Sequence, residues 1–414
     1  MAVVTVVKTI GTTGTFSTPQ LWEDGAPADL TTAEKSAAGT FAVATFQQGE
    51  NITFVGSGAT GKLVDTDSTG VGTETYVTYG ITAGNPAASD VITGVTSLAT
   101  CILTSGTADN VGVVWQGKCQ NQEFASSVDI LWINGSTDSA TAYKEITTVA
   151  GASFRDNANV QTNALRYNAA NGCGFSSTHA SFAVVLIAES FARISNLQIA
   201  TTGTNAYALN SASASFCDNC ILEGTRNTGP DDGGAGLFQS SMIVRNCVLV
   251  LRVSGGLSIV STYNASAAVF YNCTFVAPDD LATAPTSIFL SSSAGNVTAQ
   301  NCALYAGDST KAIKSGTGTY NFTTCYSDIS GTSGVTQATY SSQFENVNDA
   351  TRDFRAKAGA DILNTGTTDA TNASTDIAGT ARPQGAAYDV GAWELVVIPP
   401  VAPTLFVVQS GLRW

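Results

Sequence analysis

Three pairs of carboxylates are the residues whose type and spacing could do chemistry. They are Asp231-Asp232 in "GPDDGG", Asp279-Asp280 in "APDDLA", and Asp218 with Glu223. Glycoside hydrolysis uses two carboxyl groups at a set separation. Lyase cleavage of a uronate needs a base beside a cation or metal. If the two Pro-Asp-Asp stretches lie on loops at one bend and converge, Asp231, Asp232, Asp279 and Asp280 would contact a glycan or an ion. The same residues also make ordinary turns, because Asp caps backbone N–H groups and Gly takes positive φ. The turn reading is preferred, and no catalytic residue is expected. His179, the single histidine, sits in "STHASF" without a Ser-His-Asp spacing and reads as a surface or turn imidazole.

Metals and cofactors find little support. Cys217 and Cys220 form the one CxxC, "CDNC". With one histidine in the chain they cannot complete a tetrahedral zinc site without help from scattered cysteines. "GSGATGK" (Gly56 to Lys62) lacks the hydroxyl residue that a phosphate loop needs, since Leu63 follows the lysine. The expectation is no cofactor and no metal. The net charge of −14 and the lack of any Lys/Arg run disfavour nucleic acid and anionic membranes as partners. No apolar run approaches the roughly 18 residues of a membrane span. The opening "MAVVTVVKTIG" reads as a strand and not as a signal peptide, so synthesis in a cytoplasm with reduced thiols is expected.

The elements that must carry these residues are marked by a recurring pair. Asn219-Cys220, Asn246-Cys247, Asn272-Cys273 and Asn301-Cys302 each precede a short apolar run. Asn196-Leu197 and Thr324-Cys325 extend the series, with steps of 23, 27, 26, 29 and 23 residues. Periods of this size signal a solenoid. Segments such as "SMIVRNCVLVLRV" and "AAVFYNCTFVA" carry runs and alternation, not helical spacing. Only 12% of residues are charged and Gly numbers 40, which suits short strands and turns. The predicted fold is all-β: a right-handed parallel β-helix with coils about 4.8 Å apart. Asn196, Asn219, Asn246, Asn272 and Asn301 would stack as an amide ladder at one bend. Cys220, Cys247, Cys273 and Cys302 would point inward as soft apolar groups. Disulfide or ligand roles for these thiols are the disfavoured alternative.

An open solenoid needs caps. "TFSTPQLWEDG" predicts a short N-terminal capping helix, with Thr18 or Ser17 as its cap and Leu21 and Trp22 closing the core. The opening "TIGTTGTFSTPQLWEDGAP" resembles the first turn of right-handed parallel β-helix proteins of the pectin-lyase-like superfamily. Asp353-Phe354-Arg355, Asp376-Ile377-Ala378-Gly379, Arg382-Pro383 and Asp389-Val390-Gly391-Ala392-Trp393-Glu394 resemble the terminal coil of such proteins. The whole pattern, including "SFRDNANVQTNALRYN", is similar to β-helix proteins encoded by bacteriophages. The resemblance covers about residues 1–36 and 110–395.

Four parts are expected: the cap and first coil at 1–36, an inserted domain at 37–110, the β-helix at 111–395 and a tail at 396–414. The insert carries its own duplication, with Glu50 to Val64 aligned on Asp90 to Thr104. Strand, turn, strand in each half predicts a small β-barrel or sandwich, serving for docking or trimer formation or as mere decoration. The extended tail begins with Pro399, Pro400 and Pro403, and ends with apolar Leu405, Phe406, Val407, Val408 and Trp414. These are candidate assembly contacts, against a flank of the chain's own β-helix or against a partner.

The resemblance implies a non-enzymatic virion structural protein, made in the host cytoplasm and displayed on the particle. Expected partners are two further copies in a homotrimer and other virion proteins, such as the major capsid protein or tail proteins. Capsid decoration is preferred. A tail spike or fibre binding host surface glycan and a polysaccharide-cleaving enzyme are the alternatives.

Overall fold

Single residues in the left-handed conformation swing this chain from one sheet to the next. Asn196, Asn219, Asn246, Asn272 and Asn301 have φ of 61, 54, 51, 50 and 53°, and Thr324 has 52°. Asn tolerates this region because its short amide bonds locally, whereas most L-residues are penalised there. Each such residue follows a strand of one sheet, and the strand of the next begins two residues after each asparagine and one residue after Thr324.

The computed structural model describes residues 3–396 apart from 32–33, 44–45, 48–49, 67–73, 85, 88, 105–108, 158–163, 180–182, 202–205, 226–232, 253–257, 264–266, 280, 282–283 and 292–294. Its body is a parallel β-helix of three sheets. The first sheet runs from Val3–Ile10 and Asp109–Cys119 down to Thr319–Thr323. The second runs from Glu123–Ser126 to Cys325–Ser327 and Val335–Gln337. The third runs from Leu131–Ile133 to Ala312–Gly316. Neighbouring coils pair in parallel register, as in Ile221↔Val248↔Thr274↔Ala303.

From Gln198–Thr201 to Ala303–Tyr305 the second sheet is buried on both faces, which is why strands there read as apolar runs. In Val248–Leu251, Leu249 and Leu251 join the interior with Cys247, Phe270 and Phe275. Val248 and Val250 point the other way, against Phe344, Phe354, Ile377 and Trp393 of a C-terminal lobe. The lobe, residues 340–396, lies along the outside of this sheet. The first sheet instead alternates buried and half-exposed residues, as in Met242–Arg245, and has one face toward solvent.

The N-terminal cap is the helix Pro19–Asp24, with Thr18 accepting the Leu21 N–H. Trp22 is buried against the first coil, where a Cβ at Gly117 would lie 2.7 Å from its ring. Leu21 does not share this role. A helix of six residues presents one face inward, and Leu21 stays 48% exposed.

Residues 34–103 form a closed antiparallel barrel. Its strands, Glu34–Val43, Glu74–Ala83, Thr60–Thr66, Asn51–Phe54, Val91–Gly94 and Thr100–Leu103, pair in that order, and the last returns to the first. Glu34–Val43 also pairs with the start of Asp109–Cys119, so one long strand joins barrel and β-helix. The duplicated halves supply two hairpins, and Ile52, Phe54, Ile92 and Cys101 fill the barrel.

Candidate functional site

The sequence-predicted acids do not gather into one site. Asp231, Asp232 and Asp280 lie outside the described residues. Asp279 is exposed in a turn, its N–H donating to the Val347 carbonyl at 3.0 Å. Asp218 ends a strand of the first sheet and takes Arg245 in a two-pronged pair, at 2.6 and 2.8 Å. Glu223 belongs to the second sheet and faces the C-terminal lobe. His179 Nδ1 stands 3.7 Å from Asp129 Oδ1, too far for a hydrogen bond. Burial raises the Asp129 carboxyl, against the opposing pull of His179. The tail residues Leu405, Phe406, Val407, Val408 and Trp414 lie outside the described residues.

The asparagine column is a bend column more than a ladder. Amide meets amide directly at one step, Asn246 Nδ2 to Asn219 Oδ1 at 3.4 Å. The other amides hold different pieces of chain. Asn196 accepts from Arg155 at 2.6 Å. Asn272 accepts from Arg382 at 3.4 Å. Asn301 donates to the Thr367 carbonyl and accepts the Thr367 N–H, at 2.7 and 2.8 Å. A continuous ladder is interrupted because the lobe and the 153–156 turn compete for the same amides. The thiols of Cys220, Cys247, Cys273 and Cys302 are free and buried. Each donates to the carbonyl two residues back, at 3.2 to 3.3 Å. Burial pushes the Cys247 and Cys302 thiols well up, away from the nucleophilic thiolate.

Buried charge sits at the seams between parts. Lys144 Nζ donates to Glu23 of the cap helix at 2.6 Å, to Glu189 at 2.9 Å and to the Asn134 carbonyl at 2.6 Å. Glu223, fully buried, accepts the Tyr167 N–H at 2.8 Å and Arg352 Nη2 of the lobe at 2.5 Å. Arg382 donates to the Asp389 and Gly391 carbonyls, both at 2.8 Å, and lies 3.5 Å from Glu394. The acids of the terminal motif clamp backbone. Asp376 takes the N–H groups of Ala378, Thr380 and Glu394. Asp389 takes those of Asn364 and Leu395, and Glu394 those of Gln384 and Asp389. Burial raises all three carboxyls while these bonds oppose it. The terminal motif is therefore a docking device: Gly391 N–H meets the Asn301 carbonyl, and Ala392 N–H meets Thr274 Oγ1.

The barrel repeats the device in miniature. Glu50 accepts from Thr96 N–H, Ser97 N–H and Ser97 Oγ in the second hairpin. Its aligned partner Asp90 accepts from Ser57 N–H and Oγ in the first. Each half thus clamps the turn of the other.

Among the described residues, two clefts are lined by polar side chains. One, of about 380 Å³, is lined by Thr148, Ser153, Arg155, Asp156, Asn196 and Gly379. The other, of about 400 Å³, is lined by Ser309, Asp328, Gln337, Thr339 and Tyr340. Burial pushes the Asp328 carboxyl up to about 6, although the Ala306 N–H donates to it. Sequence reasoning gave no role to Arg155, quoted only as part of "SFRDNANVQTNALRYN", or to Asp328, because only the folded lobe creates their surroundings. Among the described residues no group of three or more His, Cys, Asp or Glu is placed to hold a metal ion, and no helix is long and apolar enough to cross a membrane.

No family model and no curated protein matches the chain. Among solved structures, pectate lyase Pel9A is similar in outline, with a TM-score of 0.35 and 12% identity, over 68% of this chain and 88% of that one. The parallel strand pairing of this chain itself defines the β-helix.

Proposed function

We propose that this protein is a non-enzymatic structural component of a bacteriophage particle, displayed on its surface as capsid decoration. The observation that carries this reading is the use of buried charge. Lys144 with Glu23 and Glu223 with Arg352 join one part of the chain to another, and Arg382, paired with Glu394 inside the lobe, reaches Asn272 of the β-helix. Groups engaged in this way hold a durable scaffold together and are not poised for turnover. The closed barrel adds a separate module on the same long strand, suited to docking on the shell. The phage setting is supported by the resemblance of the terminal motifs, and a homotrimer held by barrel or tail fits it. The partners would be the major capsid protein or tail proteins, and the location the virion.

Gold-labelled antibody against the purified chain, applied to intact particles of the phage that encodes it, tests the reading. Regular labelling of the capsid surface is expected. Labelling confined to the tail would move the protein to a spike or fibre. Release of reducing ends or unsaturated products from host polysaccharide, lost in Asp231→Asn or Asp279→Asn, would replace the structural reading with an enzymatic one.

A further inference from the structure

We infer that the cleft of about 400 Å³ beside Asp328 takes a primary ammonium group carried on an alkyl stem. The cleft lies where the last strands of the second sheet, Cys325–Ser327 and Val335–Gln337, meet the first helix of the lobe, Tyr340–Gln343. Asp328 is 8% exposed and is the one carboxylate among the described lining residues. Its Oδ1 accepts the Ala306 N–H at 3.3 Å and the Ser327 hydroxyl at 3.4 Å, both long for hydrogen bonds. An asparagine oxygen would accept from both groups equally well. The fold therefore makes no use of the negative charge. Burial makes that charge costly and pushes the carboxyl up to about 6. A buried charge with no structural use, lining a cleft, marks a binding site.

What the site lacks is a cation. The neighbouring turn carries Lys311, but that ammonium lies 3.7 Å from Asp308, which also takes the Thr310 N–H and hydroxyl. In the lobe, Lys357 donates to the Ser341 carbonyl at 2.7 Å. Asp361 accepts from Gln343 at 2.9 Å. Burial, and then the charges of Asp328 and Asp361, push the Tyr305 hydroxyl up, so it stays neutral. Among the described residues no basic side chain pairs with Asp328.

The rest of the lining selects the kind of cation. A divalent metal ion draws on several carboxylates, and Asp328 is a single acid. A primary ammonium has three donors and no acceptor. Asp328 takes one donor, and Ser309, Thr339 and Gln337 offer neutral acceptors on the same lining. Gln337 Nε2 donates to the Asp328 carbonyl at 3.2 Å, which leaves its Oε1 to accept. Ala338 and the Tyr340 ring give an alkyl stem apolar surface. Tyr340 is fixed there by its hydroxyl on the Ala277 carbonyl at 2.9 Å and by stacking on Tyr305 at 5.0 Å. A lysine side chain of another protein and a free alkyl diamine both carry such a group. The site is independent of whether the protein decorates a capsid.

The test uses the full chain with n-butylammonium as probe. Potassium and tetramethylammonium, which has no N–H donor, are the comparisons at matched ionic strength. Titration calorimetry gives Kd, and the rise in Tm gives a second readout. Butylammonium should bind and raise Tm at neutral pH, and the comparisons should do so far less. An alkyl amine, with a pKa of about 10.4, stays charged while Asp328 titrates. With a carboxyl titrating near 6, its Kd should be about tenfold weaker at about pH 5 than at about pH 7.5. Asp328→Asn, which keeps an acceptor for the Ala306 N–H, should abolish binding. Gln337→Ala should weaken it about tenfold. Nα-acetyl-lysine methylamide and cadaverine separate the sources: the tighter binder names a protein lysine or a free diamine. No binding of butylammonium up to about 0.1 M would overturn the proposal. So would an equal Tm rise from potassium or tetramethylammonium, a Kd unchanged between the two pH values, or binding that survives in a folded Asp328→Asn protein.

Discussion

Replacing Arg352 by Met asks whether the C-terminal lobe is held by charge. Glu223 is fully buried, and its Oε2 takes Arg352 Nη2 at 2.5 Å, with Arg252 Nη1 at 3.6 Å. Arg352 also donates to the Asp349 carbonyl at 2.6 Å and to its carboxylate at 3.1 Å. Removing one partner of such a pair leaves a charge in a poorly solvated place, at a cost of about 3–5 kcal/mol. Arg252, which is 30% exposed, would offset part of this, so about 2–4 kcal/mol is expected for Arg352→Met. The double variant Glu223→Gln/Arg352→Met removes both charges, and the glutamine oxygen can still accept the Tyr167 N–H. It should recover about 1–2 kcal/mol relative to Arg352→Met alone. Urea unfolding gives the stabilities, and limited proteolysis around residues 338–346 shows whether the lobe opens first. Equal destabilisation in single and double variants would refute the account, because the loss would then come from packing and not from a stranded carboxylate.

Asp328 predicts a pH effect. Its folded pKa of about 6 lies above the ordinary 3.8, so the native state holds a proton that the unfolded state releases between those values. Stability is therefore lost as pH rises from about 4 to about 6. Asp328→Asn should add about 2–3 kcal/mol at pH 7 and little at pH 3.5, measured by urea unfolding at both; an equal effect at both would point to packing. Thr324 is a β-branched residue at φ 52°, in the bend position that Asn fills elsewhere. Thr324→Asn should gain about 0.5–1 kcal/mol by relieving part of that strain. A net loss would show that the 2.9 Å hydroxyl contact with Thr367 outweighs it. In the native protein all nine cysteines should resist a thiol reagent for hours and react on unfolding, since all are buried; fast labelling of Cys247 would contradict the core assignment.

The repeat was legible because a bend that needs φ near +50° admits few residues. Asn at five of six such bends, from Asn196 to Asn301, leaves a ruler in the sequence. Coil order follows from that ruler and the apolar runs. The barrel was legible through its duplication, since Glu50 and Asp90 fill one role 40 residues apart. What the amides do was not legible. Stacking alone predicts Asn touching Asn, but Asn301 turns to Thr367 across 66 residues, a contact no local pattern encodes. Nor does the sequence show that "VLVL" is covered on its outer face by a lobe more than ninety residues downstream. The Arg155 cleft is hidden for the same reason: Asn196 and Gly379 meet there from distant parts of the chain.

A stack of nearly equivalent coils does not by itself fix where a cap or lobe must sit, because sliding by one coil meets a similar apolar surface. Charge placed once breaks that degeneracy, and our hypothesis is that Lys144 does so for the cap. Among the described residues, its ammonium finds Glu23 and Glu189 together only where the cap now docks. Lys144→Met alone would strand two carboxylates and cost about 3–5 kcal/mol. The triple variant Glu23→Leu/Lys144→Met/Glu189→Leu removes the three hydrogen-bonded charges and leaves the partly exposed Asp138 beside them. The Asn134 and Ser136 N–H groups then lose their acceptors at 3.0 and 3.1 Å, a cost of about 1–3 kcal/mol each where water cannot reach them. The triple variant should accordingly match or exceed the stability of Lys144→Met, yet hold its cap less uniquely. Amide exchange separates the two effects: protection across Pro19–Asp24 should fall in the triple variant by more than its global stability does. If protection there instead tracks global stability, the charges do not select the docking position, and apolar contact through Trp22 suffices.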